Sequence, residues 1–314
     1  MPLDPQLANV LQSLAASGRG AIHEGSVEQG RAGYLALTYG TRTPAQTIPV
    51  GSVEDAVVDG GAGPLKARVY RPENRNPSPT LVFFHGGGFV IGNLDTHDNM
   101  CRDLCRGLQA VVVSVDYRLA PEHPFPAAVE DAIAATRWVI AHATRLGGTE
   151  LVAVAGDSAG GNLAAVVAQQ LHAKGITLAG QFLIYPAVDH MGVEYPSLEE
   201  NRKGYFLELD SLRWFFEQYA SLCKDVTDPR LAPIHAPSLS GLPPALIVTA
   251  EFDPLRDAAH AYGKALQAAG VKAEVIQGKG MIHAFFDMGR WSPGAQAVIQ
   301  QSIQRFSQVM RGGS

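Results

Sequence analysis

Short apolar runs alternate with longer helix-forming stretches through most of this chain. The runs have the length and the continuous apolar character of strands that are covered on both faces of a parallel sheet. Regular alternation of strand and helix is typical of a doubly wound sheet with right-handed crossovers. The pattern therefore predicts an α/β fold built on a mostly parallel sheet.

The pattern predicts eight strands and seven helices. The first two strands are separated only by residues 60–64, a link that allows an antiparallel hairpin and no parallel pairing. The predicted strands lie at 53–59, 65–70, 80–84, 111–115, 151–155, 181–185, 245–249 and 273–277. The predicted helices lie at 4–16, 95–108, 127–142, 163–173, 211–219, 254–269 and 293–310, with Pro254 opening the sixth and Asp253 at its cap.

The alternation stops after the strand at 181–185. Residues 187–236 form an insertion with an aromatic-rich helix above the strand ends, a position that suits a cap. Residues 1–50 precede the first strand and must pack on the outside of the sheet and its helices. We therefore divide the chain into an N-terminal part of the cap at 1–50, a core at 51–186, the cap insertion at 187–236, and the rest of the core at 237–314.

Apolar side chains of the insertion are candidates for the walls of a substrate pocket. The same side chains could instead form the insertion's own core, and the sequence does not decide between the two roles for any single residue. The candidates are Phe206, Leu207, Trp214, Phe215 and Phe216.

Composition and charge narrow the class of protein. The chain has 314 residues, of which 46% are hydrophobic and 18% charged, an ordinary globular mixture. No apolar run reaches the ~18 residues of a membrane span, and the N-terminus lacks a basic segment followed by an apolar one. A net charge of -5 without a basic run argues against nucleic-acid partners. Three sparse cysteines, Cys101, Cys105 and Cys223, favour reduced thiols and a cytoplasmic protein.

A G-x-S-x-G sequence around Ser158 carries the first catalytic signal. An apolar strand run leads into it and a helix-forming run leaves it, which is the context of a nucleophile elbow. Gly156 and Gly160 would give such a turn the room it needs, because a side chain at either position would collide with the neighbouring strand or helix. The N–H of Ala159, at the start of the helix, would be free to meet a developing oxyanion. The motif also arises by chance, so its flanking elements and the other candidate catalytic residues determine how strongly it indicates a nucleophile.

Three consecutive glycines, residues 86–88, follow His85 at the end of the strand at 80–84. So much glycine costs chain entropy, so we expect backbone there that no side chain obstructs. An HGGG run is one recognised source of oxyanion-hole N–H groups. The alternatives are an ordinary glycine-rich loop and a nucleotide cradle, although the latter lacks its usual G-x-G-x-x-G or G-K-[ST] pattern.

Asp253 and His283 complete a candidate triad. A serine hydroxyl requires a base, and the base requires a group that fixes its tautomer. Ser158, Asp253 and His283 occur in the chain order of the α/β hydrolases, and each follows a predicted strand. Asp253 could instead only cap a helix, and Asp257 is a weaker rival because it should lie inside that helix. No spacing of His, Cys, Asp or Glu suggests a metal site.

Nine other histidines compete with His283. His85 belongs to the glycine loop, and four more fall in predicted helices, where we interpret them as structural or solvated. These four are His97, His142, His172 and His260.

In four segments the chain resembles the bacterial hormone-sensitive-lipase-like carboxylesterases, called family IV, of the α/β-hydrolase superfamily. The matching segments occur in family order and span nearly the whole chain. They are His85–Phe89, Tyr117–Glu122, Gly156–Gly161 and Asp253–Asp257. The resemblance implies an α/β-hydrolase fold, an eight-stranded sheet with a helical cap, and no cofactor. One departure is Ala284, where the family commonly has glycine.

The resemblance also implies roles. Ser158 would be the nucleophile, His283 the general acid and base, and Asp253 its orienting carboxylate, while Gly87, Gly88 and Ala159 would supply the oxyanion hole. The implied reaction is hydrolysis of short to medium acyl esters, with a small-molecule ester as substrate. Activity should fall at acid pH once the histidine is protonated. A ligand-binding module on the same fold and an amidase or peptidase are the rivals. A homodimer is compatible with the family but is not demonstrated by any residue.

Overall fold

The computed structural model describes residues 2–18, 20–74 and 76–312, and its centre is one eight-stranded sheet. The strand order is β1-β2-β4-β3-β5-β6-β7-β8, and only β2 runs antiparallel to its neighbours. The strands are β1 (Ser52–Asp59), β2 (Pro64–Arg71), β3 (Thr80–Phe84), β4 (Val111–Val115), β5 (Val152–Asp157), β6 (Gln181–Ile184), β7 (Ala245–Phe252) and β8 (Ala273–Ile282). The predicted mostly parallel, doubly wound α/β sheet is confirmed.

Helices cover both faces of the sheet, which is why the central strands are apolar throughout. The helices are α1 (Pro5–Ala16), α2 (Val27–Leu35), α3 (Asp98–Leu108), α4 (Ala127–His142), α5 (Ala159–His172), α6 (Pro196–Glu200), α7 (Leu209–Ala220), α8 (Arg256–Ala268) and α9 (Pro293–Met310). Helices α4, α5 and α8 pack on one face, and α3 and α9 pack on the other. Consecutive residues of β3 alternate between the two cores, as strand geometry requires: Val82 and Phe84 face the first, and Leu81 and Phe83 the second.

Several predicted boundaries were wrong. Helix α5 begins at Ala159, as expected from the elbow motif, and so includes four residues before the helix-forming run at 163–173. Helix α3 begins at Asp98, three residues later than predicted, which leaves His97 outside it. Pro254 does not open α8, which begins at Arg256 after a turn in which Asp253 accepts the N–H of Leu255. Strands β7 and β8 run on to Phe252 and Ile282, so each ends one residue before a candidate catalytic side chain.

The segment before β1 and the insertion after β6 contact each other. Nδ1 of His23, in a short 3₁₀ turn before α2, lies 3.0 Å from Oγ of Ser211 on α7. The start of the chain is tied to the core, since the N–H of Asp4 donates to the carbonyl of Gly280 at 3.0 Å. Helix α6 is held on α8, where Ser197 donates its hydroxyl to the carbonyl of Pro254 at 2.8 Å. Within the described residues, none of the helices combines the length and apolar character needed to cross a bilayer.

Candidate active site

Ser158 lies at the apex of a sharp turn between β5 and α5. Its backbone angles, φ +54° and ψ −116°, are strained for a residue with a side chain, as a nucleophile elbow requires. Gly156 and Gly160 leave no room for a Cβ, which would lie 2.2 Å from the carbonyl oxygen of Gly160 and 1.9 Å from that of Phe84, respectively. The turn is fixed to the sheet by the N–H of Ser158, which donates to the carbonyl of Ile184 at 2.8 Å.

A continuous chain of hydrogen bonds joins the three side chains that the sequence singled out. Nδ1 of His283 lies 2.7 Å from Oδ2 of Asp253, and Nε2 of His283 lies 2.9 Å from Oγ of Ser158. Because an ionised carboxylate only accepts, the pair with Asp253 places a proton on Nδ1 and leaves the Nε2 lone pair facing the serine hydroxyl. Asp253 is fully buried and His283 is 5% exposed, so little water competes for these contacts.

Asp253 contacts both the histidine and the turn before α8, one through each carboxylate oxygen. Its second oxygen, Oδ1, accepts the N–H of Leu255 at 2.9 Å and so shapes the turn before α8. The carboxylate of Asp257, the rival candidate, accepts the N–H of Ser197 at 2.9 Å and lies beside Arg256. Asp257 therefore joins α8 to α6 and does not contact His283.

The residues considered for the oxyanion hole line the same cavity as the serine. Gly87 and Gly88 adopt φ of +113° and +60°, conformations that favour glycine, and the N–H groups of Gly87, Gly88 and Ala159 donate to no group in the described part of the chain. All three residues line one cavity with Ser158 and His283. Unused donors at a helix start and in a glycine loop are the groups that an oxyanion would need.

His85 holds the glycine loop from behind. Its ring stacks on Tyr117 with 4.3 Å between ring centroids, and Tyr117 donates its hydroxyl to the carbonyl of His85 at 2.7 Å. Complete burial lowers the pKa of His85 to about 3, so the ring is neutral at physiological pH. We conclude that His85 supports the loop by packing against it and is uncharged.

Ala284, which directly follows His283, has φ +65° and ψ +16°. This left-handed conformation costs an alanine about 1 to 2 kcal/mol and a glycine almost nothing. The departure at this position therefore adds local strain next to the histidine while leaving the histidine's hydrogen bonds in place.

The cavity above Ser158 has a volume of about 1100 Å³ and is lined by both the N-terminal segment and the insertion. Phe206, Leu207, Phe215 and Phe216 are among its walls. Trp214 is not, and its ring instead packs edge-on against Phe215 with 5.2 Å between centroids. Helix α7 turns about 100° per residue, so residues spaced three and four apart share one face. The α7 residues that line the cavity have this spacing, and Trp214 does not lie on their face.

Sequence reasoning missed two buried side chains next to the site. His97, interpreted as structural or solvated within a helix, is fully buried just before α3 with Nε2 3.3 Å from Oδ1 of Asp157. Asp157 is the residue before Ser158, and its Oδ1 also accepts the N–H of Gly86 at 2.8 Å. The only available signal was the position of Asp157 inside the elbow motif, because 60 residues separate it from His97.

One group of side chains in the described residues has the composition of a metal site. The ligand atoms of Asp189, His190 and His235 lie within 4.8 Å of one another. However, Nδ1 of His190 accepts the N–H of Gly192 at 3.0 Å, which places the ring proton on Nε2, the nitrogen that faces Asp189 at 4.0 Å. His235 Nε2 lies 2.8 Å from the carboxylate, a hydrogen-bond distance. The 4.0 Å between His190 and Asp189 is longer than a hydrogen bond, so within this group the carboxylate pairs with His235.

Comparison with known proteins agrees with this geometry. A family model described as alpha/beta hydrolase fold matches residues 81–287. The chain is 45% identical over 259 residues to carboxylic ester hydrolase LipN of Mycobacterium tuberculosis, covering 80% of this chain and 69% of LipN. It is 38% identical to ethyl acetate hydrolase of Pseudomonas putida, covering 92% and 93% of the two chains. The structure of the hyperthermophilic esterase from the archaeon Pyrobaculum calidifontis superimposes with a TM-score of 0.92 at 42% identity, over 98% and 99% of the chains. The chain thus belongs to the hormone-sensitive-lipase-like carboxylesterases of the α/β-hydrolase superfamily.

Proposed function

We propose that this carboxylesterase cleaves esters of short to medium acyl chains through an acyl-enzyme on Ser158. The observation that carries the proposal is the hydrogen-bonded series Asp253, His283, Ser158, which ends at the wall of a largely apolar cavity. A serine hydroxyl aligned on a neutral imidazole nitrogen is the arrangement that makes serine a nucleophile.

The proposed reaction has two halves. Oγ of Ser158 attacks the ester carbonyl carbon as Nε2 of His283 takes the hydroxyl proton, and the N–H groups of Gly87, Gly88 and Ala159 bind the oxyanion. The tetrahedral species collapses, the bond to the alcohol oxygen breaks, and the same proton passes from Nε2 to the departing alcohol. Water then attacks the acyl-enzyme with the same assistance and releases the acid. Asp253 keeps the Nδ1 proton in place throughout.

The walls close to the glycine loop support the limit on acyl length. The ring of Phe215 covers Gly88, where an added Cβ would lie 2.3 Å from ring carbons. Phe89 stacks on Tyr219 with centroids 3.8 Å apart, which makes a rigid double ring on the same wall. Rings this close to the oxyanion donors leave space for small acyl groups there and oppose long ones.

Residues 1–50 and 187–236 together act as the cap in this proposal. Leu11 and Leu14 of α1 line the cavity, as do Phe206 and Leu207 of the insertion. The contact between His23 and Ser211 joins the two segments. The size of the substrate would therefore depend on both parts of the cap. Next to Gly88, it would depend on the insertion, which contributes Phe215.

The test is the initial rate on p-nitrophenyl esters from acetate to palmitate, measured beside a folded Ser158→Ala variant. We expect a maximum at short or medium chain length, and a loss of several orders of magnitude in kcat in the variant. A maximum at palmitate would contradict the acyl limit. Activity that persists in the variant would contradict the role of Ser158, and no activity on any ester would favour ligand binding or amide substrates.

A further inference from the structure

A second histidine and carboxylate pair lies behind the glycine loop, separate from the series that reaches Ser158. His97 is fully buried and Asp157 is 2% exposed. Nε2 of His97 lies 3.3 Å from Oδ1 of Asp157 and 3.4 Å from Oδ2. Oδ1 of Asp157 accepts the N–H of Gly86 at 2.8 Å, so this carboxylate joins the residue before the nucleophile to the first glycine of the loop.

The hydrogen bonds around His97 place a proton on its Nδ1. Oγ1 of Thr96 lies 2.8 Å from the carbonyl oxygen of Asn93, to which it donates its one hydrogen. The same oxygen lies 2.8 Å from Nδ1 of His97 and must therefore accept there. With Nδ1 protonated, a neutral His97 would point the Nε2 lone pair at a carboxylate, whereas an imidazolium would donate Nε2–H to it. The N–H of Gly86 also lies 3.3 Å from Nε2 of His97, but it makes its shorter bond, 2.8 Å, to Oδ1 of Asp157. With two carboxylate oxygens 3.3 and 3.4 Å from Nε2, the geometry favours the imidazolium.

Charges on the elements packed around His97 also favour its protonated form. Burial alone would lower the pKa of His97, but the negative charges of Asp157 and Asp287 raise it above the ordinary value. His85, whose ring centroid is 5.4 Å away, contributes no charge because its own pKa is about 3. Tyr34 lies 5.9 Å away and stays neutral, since burial holds the pKa of its phenol well above the usual range.

Two further groups near this cluster are titratable or charged. Burial raises the pKa of the Cys101 thiol well above its usual range, so it stays uncharged. Burial raises the pKa of the Asp287 carboxyl to about 6, while the positive charge of Arg290 lowers it. Since the remaining ring neighbour of His97 is Phe83, the two carboxylates are the charges that act on the imidazole directly.

We propose that His97 is a positioning residue whose imidazolium holds Asp157, and through it the N–H of Gly86, so that the oxyanion loop stays aligned with the nucleophile. A Cβ on Gly86 would lie 2.3 Å from Oδ2 of Asp157, so the loop and the carboxylate are in direct contact. Loss of the imidazolium proton leaves a buried, uncompensated carboxylate beneath the loop. The loop then shifts, and kcat falls on the alkaline side with little change in KM. This inference rests on the proposed esterase function.

The experiment measures kcat and KM against pH on a short p-nitrophenyl ester for wild type, His97→Gln and Asp157→Asn, with rates in Ser158→Ala subtracted. Glutamine can donate an amide N–H to Asp157 but cannot titrate, so we expect a roughly 10-fold lower kcat and no alkaline decline. Asparagine at 157 still accepts from Gly86 but lacks the charge, so the decline should move to lower pH. An alkaline decline that is unchanged in both variants would overturn the proposal.

Nuclear magnetic resonance keeps the inference separate from the proposed function. With ¹⁵N-labelled histidine, His97 should carry protons on both ring nitrogens at pH 7 in wild type, and its titration midpoint should fall in Asp157→Asn. A neutral His97 at pH 7 would refute the proposal even in an active enzyme. If wild type cleaves no ester, the esterase proposal fails, and the same spectra still decide the charge of His97. They also decide it if the glutamine variant does not fold.

Discussion

Replacing Gly88 with alanine tests whether the cap fixes the oxyanion loop. The new Cβ would lie 2.3 Å from Cγ and Cδ1 of Phe215, where contacts between carbons are ordinarily about 3.5 to 4.0 Å. Either the ring or the loop must therefore move by about 1 to 2 Å. The backbone at φ +60° adds about 1 to 2 kcal/mol of strain for an alanine. Displacement of the loop would misplace an oxyanion donor, which corresponds to about 10² to 10³ in kcat.

The clash and the strain can be separated by two further variants. Phe215→Ala removes the ring carbons, so the double variant keeps only the strained backbone and should recover at least about tenfold in kcat over Gly88→Ala, a coupling of about 1.4 kcal/mol. Gly175→Ala is the matched control for strain, because Gly175 has φ +72° with no atom within 4 Å of an added Cβ. We expect it to lose about 1 to 2 kcal/mol of stability with kcat unchanged.

The assay is kcat and KM on p-nitrophenyl acetate and butyrate at constant pH, with circular dichroism to confirm folding of each variant. If the effects of Gly88→Ala and Phe215→Ala on kcat simply multiply, the ring does not press on the loop and the reasoning fails. A full recovery in the double variant would show that strain at residue 88 costs little and that the cap contact accounts for the loss.

Two more predictions concern stability and thiol chemistry. Arg118→Ala should lower the free energy of unfolding by about 3 to 5 kcal/mol in urea melts. The reason is that Asp131 is fully buried and both of its oxygens accept hydrogen bonds from Arg118, at 2.8 and 2.9 Å. A loss below about 1 kcal/mol would mean that water replaces the guanidinium. A thiol reagent should react with at most one cysteine of the native protein, Cys223, and with three after denaturation, since Cys101 and Cys105 are buried with raised thiol pKa values. Rapid reaction of all three in the native state would contradict this burial.

The apolar pattern predicted most of the fold because each central strand is buried on both faces. Residues 111–115, four valines and one serine, have the length and character of a strand buried on both faces, and β4 occupies them. Position after a strand also brought together the residues of the candidate triad, since parallel strands end at one edge of the sheet. Ser158 follows β5 directly, and Asp253 and His283 follow β7 and β8.

Helix propensity alone did not predict the helix starts, because tertiary contacts override it there. The first turn of α5 contains Gly160 and Gly161, which are poor helix formers. Gly160 lies so close to neighbouring backbone that only glycine fits, because an added Cβ would be 1.9 Å from the carbonyl oxygen of Phe84. An added Cβ on Gly161 would lie 2.9 Å from Cβ of Pro186. The turn before α8 has a similar cause, since Asp253 uses one oxygen for the N–H of Leu255 and the other for His283.

The position of His97 had no signal in the sequence, because contacts across 60 residues leave no period. Its location suggests how the proposed oxyanion loop is held. The loop is contacted from below by Asp157 at Gly86 and from above by Phe215 at Gly88. The first contact depends on charge and the second on shape. Substitutions at His97 should therefore change the pH dependence of kcat with little effect on acyl preference, whereas substitutions at Phe215 should do the reverse. If both changed the same property, the loop would respond as one rigid unit to either contact.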